Sequence, residues 1–139
     1  TWSALPESEY GKSKKAAEDE IFRIGKANGM HVVSLRLSMV YGKGGKGNLE
    51  RMARGIQSGW FPPLPETHNK RSLIHVDDVV AAIKLVAEKP EANGKIYILS
   101  NPRQYSGREM YNSIRKVLGM PELKWSVPES LLRGGGVFG

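Results

Sequence analysis

The sequence contains no cysteine. This absence excludes a disulfide framework, a cysteine-ligated zinc site, an iron–sulfur cluster and thiol catalysis. A long apolar stretch is also missing: the longest runs are a few residues, such as Val79 to Ile83, whereas a membrane-spanning helix needs about 20. No basic-then-apolar leader is visible either. Together these absences predict a cytoplasmic protein without a membrane partner.

Long runs of one charge sign are absent too, although the chain is basic overall. The 139 residues include 21 lysines and arginines and 14 acidic residues, so the chain has a net charge of +7. Such a domain commonly has an anionic partner: nucleic acid, anionic lipid or a phosphorylated metabolite. The aromatic residues do not form a stacking platform for successive bases, so we expect no nucleic acid. His31 and His68 have no partner at metal-ligand spacing, so we expect no metal.

Helix-forming and strand-forming segments alternate along the chain, as in an α/β protein with a parallel sheet. The length predicts one domain. Apolar periodicity predicts helices over 10–28, 48–58, 77–88 and 106–118, strands over 31–37, 72–75 and 95–99, and loops over 40–47 and 60–69. Ser8 is the predicted N-cap of the first helix, and Ser106 with Glu109 predicts a capping box for the last. Two or three strands are few for a doubly wound sheet, so we expect part of the sheet to lie outside this chain.

Tyr10 and Lys14 are the first pair of residues that could take part in a reaction. Side chains four apart on a helix lie on the same face. An ammonium group beside a phenol favours the phenolate, and a phenol so placed can exchange a proton with a carbinol oxygen. The lysine could also hydrogen-bond a ribose. A bare Tyr-x-x-x-Lys motif is common by chance, so on its own it favours the alternative interpretation, an exposed tyrosine beside an exposed lysine on a basic helix.

Glycine-rich turns supply two further candidates. The predicted strand that contains Arg36 runs directly into the 40–47 loop, and open α/β sheets bind ligands at such strand ends. Lys46 and Asn48 lie where this loop meets the next helix, and backbone and side-chain N–H groups there can face a phosphate. The alternative for Asn48 is a simple helix N-cap.

Arg71 begins a short extended segment and can grip a diphosphate with two parallel hydrogen bonds. His75 lies in an apolar alternation, which favours a core or edge histidine over a ligand. Asp77 is predicted to cap the following helix, which is a structural role.

These segments, in this order, resemble the C-terminal portion of the extended short-chain dehydrogenase/reductase family, which contains nucleotide-sugar epimerases and dehydratases. The resemblance covers residues 1 to about 125 and is closest to bacterial enzymes of the UDP-sugar 4-epimerase type. The matching pieces are Ser8 to Lys14 with Glu18, Leu35 to Gly44, Lys46 to Asn48, and Arg71 to Val79.

The resemblance implies a role for each matched residue. Tyr10 would be the catalytic acid/base, and Lys14 would hold the nicotinamide ribose and tune the tyrosine. The implied cofactor-side residues also include Arg36, Leu37, Ser38 and Val40; the implied substrate-binding residues are Asn48, Arg71 and Lys46. The family often has proline where Leu37 stands, so the contact at that position differs from the usual pattern.

The implied activity is NAD-dependent epimerisation or dehydration of a nucleotide sugar through a 4-keto sugar, in polysaccharide or cell-envelope sugar biosynthesis. NADP is the alternative cofactor, and a 4-keto-sugar reductase is the alternative enzyme. A non-catalytic basic module that binds anions or nucleic acid is a more distant alternative. The family commonly forms homodimers through the tyrosine–lysine helix, so we expect a homodimer or another form of self-association.

One family feature is missing from the chain. No Gly-x-x-Gly-x-x-Gly fingerprint follows a strand anywhere in the sequence, and in the family it lies well upstream of the tyrosine. We therefore expect a partial Rossmann-like fragment that is inactive alone and binds NAD weakly. Its residues 1–47 would end the Rossmann portion, and residues 48–139 would form mainly the substrate-binding portion, with a strand at 95–100 rejoining the sheet.

Overall fold

The computed structural model describes residues 8–134, with side chains up to residue 132. Helices and strands alternate through most of this range. The helices are α1 (Glu9–Asn28), α2 (Asn48–Gln57), α3 (Val76–Glu88), α4 (Gly107–Val117) and α5 (Glu129–Gly134), with a 3-10 turn at Pro90–Ala92. The strands are β1 (Ser34–Leu37), β2 (Met39–Tyr41), β3 (Lys70–His75), β4 (Ile96–Leu99) and β5 (Gln104–Ser106).

Local capping explains where the longer helices begin and end. The Ser8 side chain accepts a hydrogen bond from the Gly11 N–H, so α1 begins directly after it. Gly29 ends α1 in the left-handed conformation, with φ of 64°, which glycine adopts at no steric cost. At α4, Ser106 and Glu109 each bond the backbone N–H of the other, as the predicted capping box requires.

The chain divides into two compact units whose segments interleave in sequence. The first unit contains the described residues of 1–37 and 77–99, and the second contains those of 38–76 and 100–139. The functional division predicted at residue 47 concerns roles rather than compactness, and it stays a prediction.

The first unit is built on α1 and one pair of parallel strands. β1 pairs with β4 in the register Ser34 to Ile96 and Leu37 to Leu99. Just before β1, the Val32 backbone accepts from the Gly94 N–H and donates to the Asn93 side chain, which fixes the approach to this register. Gly25 lies so close to Val32 that a Cβ atom there would come within 2.4 Å of the valine Cγ2. Glycine is therefore required for α1 to approach the chain before β1.

The second unit has a three-stranded sheet in the order β2-β3-β5. β2 and β3 are parallel, and β5 runs antiparallel to β3. Helices α2 and α4 pack together and close the core. The buried core cluster lies in this unit and consists of Met52, Ile56, Leu64, Leu73, Met110 and Tyr111.

The fold class is the predicted one, because helices alternate with strands along the chain and the pairs β1–β4 and β2–β3 are parallel. Several local predictions were wrong. Strand 31–37 is shorter and begins at Ser34, and the loop predicted at 40–47 begins only after Tyr41, because β2 pairs with β3. The predicted number of strands was too low, since β2 and β5 have three residues each and are too short to carry an alternating pattern. Helix α5 was also missed.

Two predicted caps are also wrong. The N-cap of α2 is Gly47, so Asn48 is the first helical residue rather than the cap. Helix α3 begins at Val76, which places Asp77 inside its first turn. A carboxylate there still stabilises the helix by its interaction with the helix dipole. Within residues 8–134, no helix is both long and apolar enough to cross a bilayer. The same residues contain no group of three His, Asp or Glu side chains suited to a metal ion.

Candidate active site

Tyr10 and Lys14 lie together at the start of α1, in the first unit. The Lys14 Nζ atom is 5.5 Å from the centroid of the Tyr10 ring, as the four-residue spacing predicts. The Tyr10 side chain is 72% exposed, so its hydroxyl is accessible. Its backbone carbonyl accepts from the Ser13 hydroxyl at 2.8 Å, and the capped first turn holds the residue in place. The pair can therefore present a phenol and an ammonium group to one ligand.

Glu18, one turn after Lys14 on α1, joins this helix to β1. Its Oε1 accepts from the Arg36 guanidinium at 2.7 Å, and its Oε2 accepts from Arg36 Nε at 3.1 Å. The same Oε2 accepts from the Ser34 hydroxyl at 2.5 Å. The side chains of Glu18 and Arg36 are only 11% and 22% exposed, so solvent screens the pair little.

The electrostatics of this contact follow from its geometry. The hydrogen bond from Arg36 holds the pKa of the Glu18 carboxyl below its ordinary value of 4.5; the Ser34 hydroxyl adds to the effect, and burial opposes it. The same contact raises the pKa of Arg36. Arg36 was predicted to line the cofactor, and Glu18 was noted only as part of a motif. In the structure the pair joins α1, the helix of Tyr10 and Lys14, to β1, and the predicted contact of Arg36 with a cofactor stays a prediction.

A cavity of about 660 Å³ lies in the second unit, a size that suits a small organic ligand. Two predicted substrate-binding residues, Asn48 from α2 and Arg71 from β3, line it together. Lys46, the third, is not among the lining residues. Polar side chains that sequence analysis missed are Arg51, Thr67, Asn69 and Glu129, and the apolar walls include Met39, Leu49, Trp60, Phe61, Leu64 and Met110.

The loop before α2 brings Asn48 to this cavity. Gly42 has φ of 152°, and a Cβ atom there would come within 2.4 Å of Val76 Cγ1, so the turn needs glycine. Nearby, the His75 ring packs edge-on against Tyr41, with ring centroids 5.1 Å apart. This packing gives His75 a structural contact, and its role as a core or edge histidine stays a prediction.

Arg108 of α4 holds the wall of the cavity and was also missed. Its guanidinium donates to the carbonyl oxygens of Leu64 at 2.9 Å and Trp125 at 3.1 Å, and also to that of Leu123. Leu64 lines the cavity, so this arginine fixes the loop that shapes it. Carbonyl acceptors belong to every residue type, so no sequence signal could have revealed these contacts.

The remaining predicted cofactor residues divide between the two units. Leu37 ends β1 in the first unit and is exposed, while Ser38 and Val40 belong to the second. The Ser38 hydroxyl is buried without a hydrogen-bond partner in the described residues, and Val40 pairs with Ile74 in the β2–β3 ladder. Their contacts with a cofactor stay predictions.

Comparison with known proteins adds a family and several relatives. The family model for "NAD dependent epimerase/dehydratase family" matches residues 3–100. A UDP-glucose 4-epimerase from Vibrio cholerae is 33% identical over 126 residues, which are 88% of this chain and 38% of the relative. The chain thus spans well under half the length of this curated relative.

Solved structures have a similar fold. The dTDP-glucose 4,6-dehydratase from Bacillus anthracis, determined in complex with NAD, is 25% identical with a TM-score of 0.71, covering 85% of this chain and 39% of that one. The UDP-glucose 4-epimerase from Thermotoga maritima, determined with UDP-glucose, is 21% identical with a TM-score of 0.73, covering 89% and 41%. The second likeness concerns the Rossmann-like fold alone.

Proposed function

This chain belongs to the NAD dependent epimerase/dehydratase family, and from that premise we propose that it supplies the nucleotide-sugar pocket and the acid/base pair of a nucleotide-sugar epimerase or dehydratase. The proposed activity is that of the whole enzyme. The similarity to the Vibrio cholerae relative suggests that this activity is UDP-sugar epimerisation. Each unit of the chain has its own part in it.

The observation that carries the proposal is the cavity of the second unit, which Asn48 and Arg71 line together. The planar guanidinium of an arginine matches two oxygens of a diphosphate, and an amide N–H beside it adds a neutral donor. Arg51, one turn after Asn48 on α2, places a second guanidinium at the same cavity. Two arginines and an amide, set against the one carboxylate of Glu129, leave the described lining with a net positive charge, which suits a nucleoside diphosphate. Lys46, outside the lining, would contribute only to the local positive field.

In the first unit, Tyr10 and Lys14 are suited to acid/base chemistry at a sugar hydroxyl. The exposed Tyr10 oxygen would take the proton from the 4-hydroxyl of the sugar while a hydride leaves the same carbon, and it would later return that proton, so that the sugar passes through a 4-keto form. Lys14, held beside the phenol, can donate a hydrogen bond to a ribose hydroxyl. Arg36 keeps α1 in place through Glu18.

The exposed phenol and ammonium on one helix face fit the nicotinamide ribose of NAD, whose hydroxyls need hydrogen-bond partners. When bound, NAD supplies the acceptor for the hydride that leaves the sugar carbon. We assign contacts with the cofactor to Arg36, Leu37, Ser38 and Val40, as the resemblance implies. The sequence contains no glycine fingerprint for the NAD pyrophosphate, so none of its residues is assigned to that group.

Calorimetric titration of the chain with UDP-glucose tests the binding half of this proposal. Arg71→Ala should weaken binding by about 1.5–3 kcal/mol, the contribution of charge-assisted hydrogen bonds. Arg71→Lys should recover only part of the loss, because a lysine cannot grip a diphosphate with two parallel bonds. Lys70→Ala is the matched control: Lys70 precedes Arg71 on β3, is exposed and does not line the cavity.

Equal affinity of the parent and Arg71→Ala for UDP-glucose would contradict the proposal. Tight, salt-sensitive binding of random DNA in place of UDP-glucose would favour the basic binding module instead.

A further inference from the structure

Trp60 is a large aromatic side chain that lines the cavity of the second unit while remaining 68% exposed. A tryptophan stabilises a core by removing its large apolar surface from water, and at this exposure most of that surface stays wet. Core packing therefore does not account for the position of the indole. Its neighbour Phe61, whose ring centroid is 5.9 Å away, is the residue that continues inward and stacks on the buried Tyr111.

The indole nevertheless packs against one defined position on α2, which we call its seat. Gly55 is buried in this helix, and a Cβ atom at that position would lie 3.0 Å from both Cε2 and Cζ2 of the Trp60 ring. Glycine is a poor helix former, so its presence in the helix interior needs a packing reason. The indole lies against the bare helix backbone at Gly55, which fixes one side of the ring and leaves the rest open to the cavity.

The same helix separates this seat from the cationic end of the cavity. Asn48 begins α2 and Gly55 follows seven residues later, which corresponds to about 10 Å along the axis at 1.5 Å per residue. Both ends of this stretch line or support one cavity, with Arg51 near the first end. A ligand lying along α2 from Asn48 would therefore meet the indole at some distance from its phosphates.

We infer that Trp60 is a stacking platform for the nucleobase of the bound nucleotide, an inference that rests on the proposed function. In a nucleoside diphosphate sugar, the hexose is bonded directly to a phosphate, whereas the base is separated from the phosphates by a ribose. The separation along α2 thus matches the base rather than the hexose. A base also presents a flat π-face to an indole and needs no hydrogen bond from it, whereas a hexose is covered with hydroxyl groups.

The test is calorimetric titration of the chain with three probes: UDP, UDP-glucose and inorganic pyrophosphate. Trp60→Ala should weaken UDP and UDP-glucose equally, by roughly 5- to 150-fold, and leave pyrophosphate binding unchanged. Trp60→Phe should recover part of the loss, because a smaller π-face remains. Trp125→Ala is the matched control, since Trp125 is an equally exposed tryptophan of the same unit that does not line the cavity.

A fluorescence titration gives a second readout that does not depend on affinity alone. UDP should quench tryptophan emission in the parent and in Trp125→Phe, and the quenching should disappear in Trp60→Phe. Circular dichroism of each variant confirms that it is folded.

Two results would overturn the inference while leaving the proposed function intact: unchanged UDP binding by Trp60→Ala, or a loss confined to UDP-glucose, which would place the hexose on the indole. Both cases assume that Arg71→Ala weakens all three probes. A parent chain that binds neither UDP nor pyrophosphate, or an Arg71→Ala chain that binds them normally, would overturn the proposed function itself and this inference with it.

Discussion

Replacing Glu18 by glutamine should loosen α1 from β1 and destabilise the fold. The substitution keeps the size of the side chain but removes its charge. Only one of the two oxygens remains, so one of the bonds from Arg36 is lost and an amide N–H faces its donor. Hydrogen bonds to charged groups contribute about 1.5–3 kcal/mol each, and neutral ones about half as much. Since both partners are largely shielded from water, we expect Glu18→Gln to lower the free energy of unfolding by about 2 kcal/mol.

The effect should depend on pH in a definite direction. The folded-state pKa of Glu18 lies below its ordinary value of 4.5, so the carboxylate stabilises the fold fully above that value. This stabilisation disappears as the pH falls through the lowered folded-state pKa, because the protonated acid no longer favours the folded form. The stability gap between the parent and Glu18→Gln should therefore be complete at pH 7 and should narrow below about pH 4.

Urea denaturation followed by circular dichroism at pH 7 and at low pH measures both quantities. Glu20→Gln is the matched control on the same helix: Glu20 pairs with Arg23 three residues away, but both side chains are more than half exposed. Its denaturation midpoint should not change. If Glu18→Gln were as stable as Glu20→Gln at pH 7, or if the gap persisted unchanged in acid, the anchoring role of the Glu18–Arg36 pair would be refuted.

Two further predictions concern the first unit. Gly25→Ala should destabilise the chain by about 1–3 kcal/mol in thermal unfolding, because the new methyl group overlaps Val32 despite alanine's better helix propensity. Adding Val32→Ala to this variant should restore most of the lost stability. A Gly25→Ala variant as stable as the parent would contradict the close approach of α1 to Val32. The exposed Ile96 and Ile98 on β4 should drive self-association at micromolar concentration, so light scattering should show a lower mass when both are replaced by lysine. A parent chain that is already monomeric would contradict this second prediction.

Local signals in the sequence were sufficient for helices α1 to α4, although not for the short helix α5. Ser8, Gly29 and the Ser106–Glu109 capping box use hydrogen bonds within a few residues, so spacing alone identifies them. The proximity of Tyr10 and Lys14 follows from helix geometry in the same way.

Features that depend on long-range packing could not be predicted. Strand β5 has three residues and exists because β3 lies beside it. The contacts of Arg108 with backbone carbonyls and the seat of Trp60 on Gly55 join segments whose residue types do not specify each other. Sequence analysis therefore found Asn48 and Arg71 individually, while the cavity that unites them with Arg51 required the structure.

We propose Tyr10 as the acid/base group of a nucleotide-sugar epimerase or dehydratase, and turnover of UDP-glucose by the whole enzyme shows whether it has that role. Tyr10→Phe keeps the ring and removes the hydroxyl, so turnover should fall on the order of 10²–10⁴-fold while UDP-glucose affinity is retained. Lys12→Gln, at an exposed neighbouring position paired with Glu9, should turn over normally. Near-parental turnover by Tyr10→Phe would show that Tyr10 is not the acid/base group.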